Sequence, residues 1–110
     1  MEMQKSESPL ACNLFGLTPA QRERKRTLDQ QVRAGVAEVR ELPDGYALRI
    51  PTDTANVVAA AEWMSLEKLC CPFLTLAVEC EREAGGTWLK MTGRAGVKEF
   101  LQVELKAFVR

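Results

Sequence analysis

The chain has 110 residues, fifteen basic and fifteen acidic side chains, four cysteines and no histidine, and 46% of it is hydrophobic. That is one domain of ordinary size with apolar material for a single core. The cancelled charge excludes a general binder of nucleic acid or anionic membrane, and no apolar run nears the roughly 18 residues of a membrane span. Without histidine, imidazole bases, Cys-His dyads and His-ligated metals are excluded too.

Residues 1–17 read as an N-terminal arm and 18–110 as a single α+β domain. Residues 1–9 are polar and lack the apolar segment of a secretory signal, so a cytoplasmic location is expected. Leu10, Cys12, Leu14, Phe15 and Leu17 suggest that the second half of the arm packs. Thr18, Pro19 and Gln21 form a helix start, with Thr18 as N-cap, proline in the first turn and Gln21 closing a capping box. The helix runs to about residue 34, with Leu28 and Val32 as a narrow apolar stripe. Its basic residues, Arg22, Arg24, Lys25, Arg26 and Arg33, are interrupted by Glu23 and Asp29 and read as a solvated flank.

Two strands, 36–42 and 46–50, are joined by the turn Pro43-Asp44-Gly45. Pro51 stops the second, and Asp53 can cap a helix running to about residue 69. A third strand is expected over 73–81, with Leu74, Leu76, Val78 and Cys80 alternating onto one core-facing side. Ala84-Gly85-Gly86 turns it into a fourth strand, 87–92. The last helix, about 95–108, places Val97, Phe100, Leu101, Leu105 and Phe108 on one side. The order predicts an α+β fold: an N-terminal helix followed by two ββα units, in a two-layer sandwich with a four-stranded antiparallel sheet. Trp63 and Trp88 read as core or interface aromatics.

The most informative stretch is Glu67-Lys68-Leu69-Cys70-Cys71-Pro72-Phe73. On a helical wheel Glu67 falls inside the apolar arc of Val57, Ala59, Ala60, Trp63, Met64 and Leu66, flanked by Cys70 and Cys71. A carboxylate facing the core costs several kcal/mol, roughly the penalty of any buried polar group, unless something pairs with it. Glu104 also falls in an apolar arc, but near a chain end where it can snorkel.

Four cysteines in a chain without an export signal are expected as thiols. Cys70 and Cys71 cannot easily pair with each other, since adjacent Cα atoms lie about 3.8 Å apart. Pro72 disfavours helical geometry at Cys71, so Cys70 should end the helix and Cys71 leave it, with one thiol more exposed. That divergence favours a third thiol from elsewhere, and Cys12 in the arm is the candidate. Two readings stand side by side. In one, Cys70 and Cys71 bind a soft ion such as Hg(II), Cd(II), Cu(I) or Zn(II), with Cys12 and Glu67 as further ligands. In the other they are small core residues, Cys12 is a packing or surface cysteine, and Glu67 bonds backbone amides or an arginine. Thiolates at a helix C-terminus face the negative end of its dipole, which disfavours peroxidase-like or disulfide-exchange chemistry more than metal capture.

Glu67 to Phe73, followed by a strand, resembles the E-R-x-C-C-P-F signature of a family of small bacterial proteins without an assigned activity. The resemblance extends from the Cys12 arm through Leu42-Pro43-Asp44-Gly45-Tyr46 to Gly93 and Phe100-Leu101. Lys68 stands here where arginine is usual, and Leu74 where an aromatic is common. Some members are encoded near mercury- or heavy-metal-responsive regulators, which implies a thiol–metal role. The doubled ββα arrangement also looks like the core of organomercurial lyases and of a copper accessory protein of nitrous-oxide reductase.

The expected function is soft-metal binding through Cys70 and Cys71, with Cys12 and Glu67 auxiliary, in metal or organometal tolerance. One alternative is an organomercurial-lyase-like enzyme with a cysteine nucleophile and Glu67 as proton donor. The other is a non-catalytic module that forms a homodimer through the sheet. The expected partner is a metal ion, without nucleic acid or membrane.

Overall fold

The computed structural model describes residues 8–107. In chain order it contains α1 (Pro19–Gly35), β1 (Glu38–Leu42), β2 (Gly45–Ile50), α2 (Thr54–Cys70), β3 (Thr75–Cys80), β4 (Thr87–Thr92) and α3 (Val97–Glu104), with short 3-10 turns at Leu14–Gly16 and Leu105–Ala107. The fold is mixed α+β, with three helices and one four-stranded antiparallel sheet of order β1-β2-β4-β3. Each hairpin stays paired, and the two hairpins join through β2 and β4, with Tyr46 opposite Met91 and Leu48 opposite Leu89.

Local chemistry accounts for the helix starts. At α1, Thr18 accepts from the Gln21 backbone N–H at 3.1 Å, and Gln21 returns a bond from the Thr18 N–H at 2.9 Å. This reciprocal cap satisfies two donors that a helix start leaves open. At α2, Asp53 accepts from the Asn56 backbone N–H at 3.2 Å.

The core is built from alternate strand residues, Tyr46, Leu48, Ile50, Leu89 and Met91, together with Leu28 and Val32 of α1, Ala59, Ala60, Trp63 and Leu66 of α2, and Val97 and Leu101 of α3. Both tryptophans are buried, but Trp88 stands outside that cluster. Arg40 covers its ring at 4.0 Å, and its indole N–H donates to Glu81 at 3.2 Å. Among the described residues no helix is long and apolar enough to cross a membrane.

Three expectations change. Strand β3 begins at Thr75 rather than 73, because Leu74 donates to the Cys71 carbonyl and closes a turn after α2. Cys80, expected in the core, is exposed; it is the last residue of an edge strand, with a neighbour on one side only. In the arm, Leu17 is buried and Leu10 packs on the core, whereas Leu14 and Phe15 are exposed. Glu104 is exposed, and Phe108 lies outside the described residues.

Candidate metal centre

The arm crosses the end of α2, and backbone contacts hold it there. The Asn13 N–H donates to the Cys70 carbonyl at 2.8 Å, and the Asn13 side chain caps the following 3-10 turn by accepting from Phe15 N–H. Arg22 of α1 reaches back to the carbonyls of Leu14 and Leu17 at 3.2 and 3.0 Å. Gly16 packs so closely that a Cβ there would stand 2.6 Å from the Leu69 carbonyl oxygen. Glycine is thus required by close approach, not by backbone conformation.

Cys70 is the final residue of α2, and Cys71 is its C-cap, with φ −128° and ψ 73°. Its N–H still bonds the Glu67 carbonyl at 2.6 Å, and Pro72 then ends the helix. Lys68 donates to the carbonyls of Pro72 and Leu74 at 3.1 and 3.3 Å, so a cation sits at the negative end of the dipole.

This geometry brings Cys12, Cys70 and Cys71 together, with all three sulfurs within 4.8 Å of one another. The Cys70 and Cys71 sulfurs are 3.8 Å apart. With Zn–S bonds near 2.3 Å, two sulfurs on one tetrahedral ion stand about 3.8 Å apart. The expectation that one of the paired thiols is exposed fails: Cys70 and Cys71 are 1% and 0% exposed, because the arm covers them, and Cys12 is the exposed member. The expectation of four free thiols is also corrected. Cys12 and Cys71 are paired as a disulfide, with Cα atoms 4.9 Å apart, leaving Cys70 and Cys80 free. Sequence spacing carries no trace of this pair, since 59 positions separate the two residues.

Glu67 is buried, as its place on the wheel requires, but its companion is not a sulfur. Lys25 Nζ lies 3.0 Å from Glu67 Oε1 and 3.2 Å from Asp29, which also accepts from the Trp63 indole N–H at 2.7 Å. Glu67 Oε1 gains this charge contact without a well-aligned hydrogen bond. Burial pushes Glu67 above the usual carboxylate range, and Lys25 only partly opposes it, since one ammonium serves two carboxylates. Burial acts to lower Lys25, but Glu67 and Asp29 outweigh it and hold it above the ordinary lysine value. The Cys70 thiol is pushed up by burial first, then by the charge of Glu67.

Lys25 and Asp29 are the residues that a reading of the sequence as a solvated basic flank misses. A signal was present: Lys25 precedes Leu28 by three residues and Val32 by seven, which places it on the buried stripe. Compared with protein-family models, with curated proteins and with solved structures, the chain matches none.

Proposed function

We propose that the reduced protein captures a soft metal ion through Cys12, Cys70 and Cys71, in a metal- or organometal-tolerance role. The observation that carries this reading is the convergence of three sulfurs from two distant segments within 4.8 Å. Packing alone does not require it, because Cys12 is exposed, and soft ions are what thiolates select. Glu67 stands beside the site, held by Lys25 at 3.0 Å. The disulfide and the metal site are alternative states of the same sulfurs, so capture belongs to a reducing compartment such as the cytoplasm. The test is titration of the reduced protein with Hg(II) and Zn(II), against a Cys70→Ser/Cys71→Ser variant. Stoichiometric binding by the parent alone supports the reading; equal, weak binding by both ends it.

The disulfide favours a second reading, in which Cys12–Cys71 is a permanent staple for the arm. In that case, reduction lowers stability and creates no metal site. The lyase-like alternative needs an acid with a proton to deliver at the sulfurs, whereas Glu67 is engaged by Lys25.

A further inference from the structure

The composition of the donor set narrows what the cluster can hold. It contains three sulfurs and nothing else: among the described residues no carboxylate joins Cys12, Cys70 and Cys71 within 4.8 Å. Histidine is absent from the chain. Glu67, the nearest candidate for a fourth ligand in sequence, is committed to Lys25. The Cys70 carbonyl is taken by Asn13 N–H. An ion that requires four protein ligands, as structural zinc does, is therefore one short.

Charge narrows it further. Two of the sulfurs are buried at the C-terminal, negative end of a helix. Beside them Glu67 and Asp29 share Lys25 at 3.0 and 3.2 Å, and Lys68 donates to the backbone carbonyls just past the helix. A tris-thiolate of a divalent ion carries one net negative charge and that of Cu(I) carries two. Each is penalised by burial. A trivalent centre bound to three thiolates is neutral, prefers three pyramidal sulfur ligands and leaves its open side to a lone pair.

We propose that the reduced Cys12/Cys70/Cys71 cluster is a three-sulfur cradle for trivalent arsenic, taken up as neutral arsenous acid. This deepens the soft-ion reading of the same cluster and rests on it. The exchange balances without an oxidant: three S–H and three As–OH groups become three As–S bonds and three waters. Beforehand, two equivalents of a small thiol convert the Cys12–Cys71 bond to two thiols and release the thiol's own disulfide. Attack falls on Cys12, the exposed sulfur of the pair.

The experiment uses the full chain, reduced and freed of reductant under anaerobic conditions, with arsenite, Hg(II) and Zn(II) as separate probes. Arsenite is expected to give a one-to-one adduct in native mass spectrometry, heavier by one arsenic less three hydrogens. Cys12, exposed before binding, should then be protected from alkylation, while Cys80 stays open. Cys12→Ser, Cys70→Ser and Cys71→Ser should each lose the adduct, while Cys80→Ser keeps it. Alkylation protection in the parent chain keeps the result independent of whether a serine variant folds. Binding of Hg(II) or Zn(II) without arsenite would overturn the arsenic assignment and leave the soft-ion reading standing. An adduct that survives Cys12→Ser would overturn the three-sulfur cradle, and binding of none of the probes would overturn both readings.

Discussion

Lys25 of α1 stands 3.0 Å from the buried carboxylate of Glu67 on α2, one turn before the paired cysteines. This contact crosses the α1–α2 interface and answers the cost of an inward acid with a cation instead of a metal. It also joins Asp29 and Trp63 into one polar chain inside the helix packing. Removing the cation while leaving the acid is therefore the severe change. Lys25→Met should cost about 3 kcal/mol at neutral pH, as for a broken buried pair. Lys25→Met/Glu67→Gln should recover part of it; urea unfolding of both variants checks this, and an equal loss in both would refute the pairing.

Acid should relieve the same site. Because the folded-state value of Glu67 is raised, the native state holds its proton more tightly than the unfolded chain does. Its contribution is most favourable below the ordinary carboxylate value of about 4.3 and is lost as pH rises through the folded value. The parent chain should thus gain stability relative to Glu67→Gln as pH falls from neutral into that window. Lys25, also raised, loses its contribution only above the ordinary lysine range and does not interfere. Parallel pH curves for the two proteins would show that Glu67 is not perturbed.

The cysteine states can be counted directly. Unfolded under oxidising conditions, the protein should alkylate at Cys70 and Cys80 alone; after reduction all four cysteines should react. A bond closing a loop of this length, between residues 59 apart in sequence, is worth about 4 kcal/mol in the chain-entropy account. Cys12→Ser should lower the oxidised protein's urea midpoint accordingly and leave the reduced protein nearly unchanged.

Gly16→Ala tests how the arm is seated. Its new methyl would meet the Leu69 carbonyl at 2.6 Å and lift the arm from the end of α2. Soft-ion affinity of the reduced protein should fall by about tenfold, roughly 1.4 kcal/mol. Thermal unfolding of the core, centred on Leu28, Leu48 and Leu89, should move little. Isothermal titration beside calorimetric unfolding separates the two effects.

Trp63→Phe removes the indole donor to Asp29 and keeps most of the apolar bulk. A hydrogen bond to a charged partner is worth about 1.5–3 kcal/mol, so a loss of that size is expected. Replacing Asp29 by Asn should be milder, since its side-chain oxygen can still accept.

Patterns that repeat along the chain were legible before any coordinates. Thr18-Pro19-Ala20-Gln21 and the turns Pro43-Asp44-Gly45 and Ala84-Gly85-Gly86 each act over a few residues. Local sterics and hydrogen bonding settle those, and the helices, hairpins and inward Glu67 follow. Cys71 leaving the helix was legible for the same reason, because proline constrains its immediate neighbour. Contacts across long separations were not. Which partner Glu67 takes, that Cys12 reaches Cys71, and that β3 lies at an edge with Cys80 exposed all depend on how elements dock. Burial makes an inward charge require a counter-charge, but only the α1–α2 packing decides that Lys25 supplies it and leaves the three sulfurs to themselves.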